Sequence, residues 1–258
     1  MDLGLHGRVA LVTGAARGIG FAEAAALAAE GARIAVNDVD SAGAEAAAAR
    51  LSEAGHAPFA TPGDVSDEAG AEAIVSAAAA RFGRLDIVVN NAGAGGRHLG
   101  RRTEAMAVDD WDIIVRTHLR GTFLVSRAAI PHLRRNGFGR IVNTSSMNVT
   151  GGGRPGVANY AAAKAGIAGF TRTLAKEVGA DGITANAMAP GYVETDLIAG
   201  FSQAQRAVIT DQNPLGRFCR PEEVGALVAF LCSVQAAFIN GALVCMDGGR
   251  RDFSWNEA

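Results

Sequence analysis

Short apolar runs alternate along the chain with longer stretches in which alanine and leucine recur at helical spacing. Val9-Ala10-Leu11-Val12 has no polar position, the pattern of a strand covered on both faces. A glycine-rich turn and an alanine-rich helix over 20–30 follow it. The same alternation predicts strands over 33–38, 58–64 and 85–90, separated by helices over 41–54 and 67–82. Further on it predicts a long helix over 110–134, a strand over 140–144 and a helix over 160–178. A strand over 183–188, a helix over 221–231 and a last strand over 242–246 complete the series. This order implies an α/β fold, a doubly wound parallel seven-stranded sheet with helices on both faces and right-handed crossovers. No linker, repeat or low-complexity tract interrupts 1–258, so a single domain is expected. The stretch 191–220 is irregular and long for a connection, which makes it a candidate lid over a site.

Composition narrows the function classes. Hydrophobic residues make up 49% and charged residues 19%, enough apolar material for a substantial core and too little charge for disorder. A formal net charge of -2 leaves no electrostatic footprint for nucleic acid, so a small neutral or anionic ligand is the more natural partner. The three cysteines, Cys219, Cys232 and Cys245, form no CxxC pair, which argues against a disulfide framework and against a zinc site. The first residues lack the cationic and apolar regions of a signal peptide, and the alanine-rich stretches are too short and too charged to span a bilayer. A cytoplasmic location, with no membrane partner, is expected.

Candidate chemistry begins at the first turn. Thr13-Gly14-Ala15-Ala16-Arg17-Gly18-Ile19-Gly20 lies between the first strand and the first helix. Glycines there permit a tight turn and let the backbone approach a pyrophosphate that caps the helix, as in Rossmann-like dinucleotide sites. An ordinary glycine-rich turn is the alternative, and the strand–turn–helix context speaks against it. Asp38 ends the second strand, where a carboxylate would accept from both adenosine ribose hydroxyls and repel a 2′-phosphate. Its neighbours Asn37 and Val39 bring no cation; only Arg17 could reach such a phosphate. NAD is therefore favoured over NADP, with a solvated strand-end acid as the bland reading of Asp38.

Tyr160-Ala161-Ala162-Ala163-Lys164 puts a phenol and an ammonium at i and i+4 on one helix face. A nearby ammonium stabilises the phenolate and is expected to bring the tyrosine pKa, ordinarily about 10, toward a working pH. That is the arrangement of a general acid–base. A surface pair of little consequence is the alternative.

Together these residues resemble the short-chain dehydrogenase/reductase family, over nearly the whole length from Arg8 to Gly249. Asn90-Asn91-Ala92-Gly93 is similar to the family's sheet-stabilising, cofactor-contacting motif, and Asp64-Val65 to its adenine contact. Pro190-Gly191-Tyr192-Val193-Glu194-Thr195 looks like its nicotinamide-side loop, in which the Thr195 hydroxyl and Val193 backbone would hold the carboxamide. Pro214-Leu215-Gly216-Arg217 and Asp247-Gly248-Gly249 are similar to its later landmarks. The resemblance implies that Lys164 also holds the nicotinamide ribose and that a serine at the end of the fifth strand meets the substrate oxygen. Ser146 stands one residue farther from Tyr160 than the usual spacing, which would fall on Met147. A longer loop over 148–157 with Ser146 catalytic is the reading, and Ser145 is the fallback. His118 stands where the family usually has an asparagine, at a helix distortion that holds a water. Its imidazole either joins a proton relay, since histidine titrates near neutral pH, or is packed with one hydrogen bond.

The implied activity is hydride transfer between NAD(H) and a secondary alcohol or ketone, leaning to 3-hydroxyacyl/3-oxoacyl thioesters. A sugar, polyol or cyclic alcohol is the alternative substrate. A non-catalytic NAD(H)-binding protein and a related chemistry such as epimerisation are the rival classes. Arg97, Arg101, Arg102 and Arg154, in loops at the carboxyl ends of strands, either receive an anionic substrate group or are solvated. In the family the helices over 110–134 and 160–178 pair across a two-fold axis, so a homotetramer or homodimer is expected. The tail over 250–258 is a candidate cover for a neighbour's site.

Overall fold

Seven parallel strands form in the order β3-β2-β1-β4-β5-β6-β7 in a computed structural model that describes residues 2–151 and 153–249. They are β1 (Val9–Thr13), β2 (Arg33–Asn37), β3 (Phe59–Ala60), β4 (Ile87–Asn90), β5 (Gly139–Thr144), β6 (Ile183–Pro190) and β7 (Leu243–Met246). Strands β1, β4, β5 and β6 are buried at every position, as apolar runs sandwiched between helix layers must be.

Helices α1 (Gly18–Ala29), α2 (Ser41–Glu53) and α3 (Glu68–Phe82) connect the first four strands. Next come α4 (Val108–Val115), a π-helical turn (Arg116–Arg120), α5 (Gly121–Arg135), α6 (Asn148–Gly151) and α7 (Ala158–Val178). Helices α8 (Asp196–Ala199), α9 (Gln203–Asp211) and α10 (Pro221–Cys232) complete the set. One core lies on the α1, α2 and α10 side, around Ala24, Leu27, Val142, Met188 and Val228. The other lies on the α3, α5 and α7 side, around Leu11, Ile74, Val88, Leu133 and Leu174. Local signals fix the helix ends: Asp40 and Asp67 accept from Gly43 N and Gly70 N at 3.1 and 2.8 Å, and Gly83 closes α3 at φ 75°.

Four expectations are corrected. The third strand shrinks from 58–64 to two residues, because at the sheet edge only β2 pairs with it. The long helix over 110–134 is broken by the π-helical turn at 116–120. The first helix begins at Gly18, within the glycine turn. The lid stretch over 191–220 is not irregular: it holds α8 and α9, the latter started by a Ser202/Gln205 capping box. The tail over 250–258 lies outside the described residues.

The chain steps from the β3 edge back to β4 beside β1, so the carboxyl ends of β1 and β4 straddle the switch point of the sheet. Ligands of such sheets bind in that crevice.

Candidate active site

At the end of β1 the chain turns at Gly14, whose φ is 63° and where an added Cβ would lie 2.7 Å from Ala92 Cα. An added Cβ at Gly20 would strike the Gly14 carbonyl, so α1 can sit against the turn only with glycine there. Asn91 clamps the turn, its amide donating to Thr13 O at 3.1 Å and Gly14 O at 3.0 Å. Asn90 donates to Asn143 at 2.8 Å and Asn143 to Thr171 at 2.8 Å, tying β4, β5 and α7 together. Helix α1 begins without a side-chain cap, since Arg17 at its N-cap is exposed and makes none. Its first N–H groups and dipole are thus left for an anion, which fits a pyrophosphate.

Asp38 sits beside this turn, where its Oδ2 accepts from Ala16 N at 3.2 Å. Asp64 is exposed beyond β3 and accepts from Ser66 N at 2.8 Å, whereas Val65 is buried. The loop after β6 returns to the same turn: the Thr195 methyl would be 3.6 Å from a Cβ on Gly18. Pro190 and Val193 are buried, and Gly191 N donates to Met246 O at 2.9 Å. Every residue expected to hold the dinucleotide therefore lies around one edge of the sheet or its first turn. Those residues fit the group.

The reacting cluster stands next to it. Helix α7 delivers Tyr160 and Lys164 on one face, and the Lys164 Nζ lies 5.5 Å from the Tyr160 ring centre. Ser146 and Tyr160 line the same cleft. The extra residue of the 148–157 loop is thus absorbed without displacing the serine, and Met147 is instead buried. Ser145, the fallback, donates to Lys164 O at 2.9 Å and is a structural hydroxyl. Lys164 Nζ donates to Thr144 O at 2.6 Å, across the end of β5.

Electrostatics differ from the expectation that the ammonium would make the phenol acidic. Burial raises the Tyr160 pKa above its ordinary value; the Ser146 hydrogen bond opposes this and Tyr192 adds to it. Burial also pushes Lys164 down to about 7, with Glu23 opposing it. Desolvation outweighs pairing in this cluster. A catalytic phenolate would need further support from groups that bind beside it.

His118 lies in the π-helical turn, 4% exposed, its ring edge-on to Tyr160 with centroids 5.3 Å apart. Its Nε2 lies 2.8 Å from Ala94 O and 3.1 Å from Ala94 N, donating to the carbonyl or accepting from the N–H according to tautomer, and its carbonyl accepts from the Thr122 hydroxyl at 2.7 Å. An added Cβ at Gly93 would run into the imidazole, so that glycine makes room for it. Burial, then the Lys164 charge, push the ring down to about 3. That enclosure favours the neutral ring and speaks for the packed reading of His118 over a relay that charges near neutrality. His118 is a wall and support for Tyr160.

A cleft of about 360 Å³ opens over the cluster, lined among others by Ile19, Ser146, Tyr160, Tyr192, Thr195 and Phe201. Its walls are mostly apolar, and Arg154 is the one charged side chain among the described residues that line it. Arg97, Arg101 and Arg102 do not line it. Two contributors escaped the sequence reading. Tyr192 was placed only within a motif, and Glu23 passed as one polar residue in an alanine-rich helix. Its spacing from Gly20, Ala24 and Leu27, three back, one and four ahead, put it on the apolar face.

Comparison with known proteins agrees with this geometry. A family model described as enoyl-(acyl carrier protein) reductase matches residues 14–251. A cis-4-hydroxycyclohexanecarboxylate dehydrogenase from Sinomonas cyclohexanicum is 42% identical over 242 residues, covering 94% of this chain and 96% of that protein. A 3-oxoacyl-[acyl-carrier-protein] reductase from Escherichia coli K12 is 40% identical over 247 residues, covering 96% and 98%. A crystal structure from Sinorhizobium meliloti 1021, described as a short-chain alcohol dehydrogenase, superposes with a TM-score of 0.89 at 38% identity, covering 95% and 96%. Matched by these relatives over nearly its whole length, this chain belongs to the short-chain dehydrogenase/reductase family, oxidoreductases that act on alcohol and ketone groups.

Proposed function

We propose that this is an NAD(H)-dependent dehydrogenase/reductase in which Tyr160 moves the proton, Ser146 polarises the substrate oxygen and Lys164 positions both phenol and cofactor. The observation that carries the reading is the convergence of Ser146 and Tyr160 on one cleft that they share with Ile19 and Thr195, with Lys164 Nζ 5.5 Å from the Tyr160 ring centre. Bound along the turn, the nicotinamide supplies or takes the hydride. In reduction, the Ser146 hydroxyl donates to the carbonyl oxygen while the Tyr160 hydroxyl gives up its proton to that oxygen; alcohol oxidation reverses both movements. Lys164, beside Tyr160, would favour phenolate by its charge and hold the ribose hydroxyls. Gly14, Arg17, Gly18, Ile19 and Gly20 would cradle the pyrophosphate. Asn91, Gly93, Pro190, Gly191, Val193 and Thr195 would line the nicotinamide side, with Asp64 and Val65 at the adenine. NAD rather than NADP is supported by the Asp38 carboxylate beside the turn, where a 2′-phosphate would meet a negative charge.

For the substrate, a 3-oxoacyl or 3-hydroxyacyl thioester is supported by the relatives that reduce 3-oxoacyl groups. A second reading, a cyclic alcohol bearing a carboxylate, is favoured by Arg154 at the apolar cleft and by the hydroxycyclohexanecarboxylate relative. Association into a homotetramer or homodimer is supported by exposed Phe123 on α5, at 41%, and exposed Phe238, at 103%. Among the described residues no helix is long and apolar enough to cross a membrane.

The test is a panel of 3-oxoacyl thioesters and hydroxycyclohexanecarboxylates followed by NADH absorbance with NAD and NADP. Turnover that requires Tyr160 and prefers NAD is expected. Tight NADH binding without turnover on any alcohol or ketone would overturn the enzymatic reading, and a preference for NADP would overturn the reading of Asp38.

A further inference from the structure

We propose that Asn159 is a positioning residue for the reaction, one buried amide that ties the 94–100 wall of the cleft to the start of the helix carrying Tyr160. The inference rests on the reading of Tyr160 given above.

The wall has little of its own to hold it. Ala94, Gly95, Gly96 and Leu99 line the cleft together with Val157 and Tyr160. Yet Gly93, Gly95, Gly96 and Gly100 make up half of 93–100, and no residue of that stretch is buried. Gly96 and Gly100 stand at φ 63° and 93°. Glycine-rich backbone loses much entropy on ordering, and without buried side chains apolar packing offsets little of that cost. The position of the wall therefore depends on its hydrogen bonds.

At one end Ala94 meets His118 Nε2; the other bonds lead to the start of α7 and the first turn of α4. Asn159 is 0% exposed, and its Nδ2 donates to His98 O at 3.0 Å and to Asp110 O at 3.1 Å. Its Oδ1 accepts from Tyr160 N at 2.9 Å. Val157, at the N-cap of α7, makes no side-chain cap, so the amide of Asn159 satisfies one of the open N–H groups of that turn. That N–H belongs to Tyr160 itself. Two donors and an acceptor on one short planar group are what the site uses, and among side chains of this size only asparagine carries them. Two further joints run in parallel. His98 Nδ1 lies 2.7 Å from Asp110 Oδ1, and Gly100 N donates to Gly156 O at 2.8 Å. Gly156 stands at φ 90°, and an added Cβ there would lie 2.8 Å from the Gly100 carbonyl carbon. Wall and helix start can touch at this point only through glycine.

Two variants separate the wall from the phenol. Gly156→Ala pushes the wall away from α7 and leaves the amide in place. It should raise the substrate KM about 10-fold, on the order of one lost hydrogen bond, and change kcat by less than about threefold. Asn159→Leu keeps the size of the side chain but frees the wall and the start of α7 together. Its KM should rise by a similar factor, and its kcat should also fall, by about 10- to 100-fold, because the reacting hydroxyl is no longer held in place. The probes are an acetoacetyl thioester with NADH and cis-4-hydroxycyclohexanecarboxylate with NAD. The NADH Kd should stay at its wild-type value in both variants, since the turn at Gly14 is clamped separately by Asn91.

A second readout needs no turnover. Amide hydrogen exchange over 94–100 should quicken about 10-fold in both variants, while exchange over 9–20, in β1 and its turn, stays as in the wild type. Should Asn159→Leu fail to fold, Gly156→Ala still has to show the KM rise and the quickened exchange. Wild-type KM and wild-type exchange over 94–100, with changes confined to melting temperature, would overturn the inference. So would exchange quickened equally over 94–100 and 9–20, the mark of a residue that serves general stability. If Tyr160→Phe is inactive while the constants of these variants stay at wild type, only Asn159 loses its role. If Tyr160→Phe keeps near-normal turnover, the reading beneath it fails instead.

Discussion

The cofactor side and the substrate side of the cleft are built from different materials. On the cofactor side the walls are backbone: Gly14 and Gly20 let strand, turn and helix touch, and Asn91 pins the turn through main-chain oxygens. On the other side they are side chains gathered from the segments that follow β4, β5 and β6, largely apolar and with the hydroxyls of Ser146, Tyr160, Tyr192 and Thr195 among them. The first kind of wall tolerates few sequences and binds a constant part of the ligand. The second sets Ser146 and Tyr160 among the apolar side chains of Leu99, Val157, Ile198 and Phe201. The contrast explains why relatives about 40% identical act on an acyl-carrier thioester and on a ring alcohol.

Tyr160→Phe is the sharpest test of that division. It should cost about 10²- to 10⁴-fold in kcat while leaving the NADH Kd nearly unchanged, measured by stopped assay and fluorescence titration. Loss of NADH binding along with turnover would show that the two sides are not separable. Ser146→Ala should follow with a loss of about 10²-fold in kcat, as expected for one donor to a developing oxyanion. An effect mainly on KM would place Ser146 in substrate binding rather than in chemistry.

On the cofactor side, Asp38→Ala should leave turnover with saturating NAD largely intact but shift the NAD/NADP ratio of kcat/KM by roughly 10- to 100-fold toward NADP, about the worth of hydrogen bonds to a charged group. An unmoved ratio would take Asp38 out of ribose recognition.

The smallest effect concerns His118 and stability. Its folded pKa, about 3, lies below the unfolded value of about 6.5, so the unfolded chain binds the extra proton first as pH falls. Stability from this site is therefore present above about pH 6.5 and lost progressively toward pH 3, by up to about 1.4 kcal/mol per pH unit. Urea unfolding across that window should show the slope, and His118→Asn should flatten it. Activity between pH 6.5 and 8 should carry no His118 limb; finding one abolished by His118→Asn would restore the imidazole to the proton path.

Much of the architecture is local information, and the sequence alone determined it. The succession of strands and helices followed from apolar runs and helical spacing, and the first turn from its clustered glycines, whereas the order of the strands in the sheet came from the fold. The Tyr160–Lys164 face followed from an i, i+4 spacing, and Ser146 was legible once one extra loop residue was allowed. What only the tertiary structure decided were the long-range electrostatics. Burial makes Tyr160 less acidic rather than more, and burial pushes the His118 ring down to about 3. Composition likewise hid Glu23, which is 0% exposed in the packed structure. Spacing along one element fixes which side chains share a face; desolvation and charge depend on what the rest of the chain lays over them.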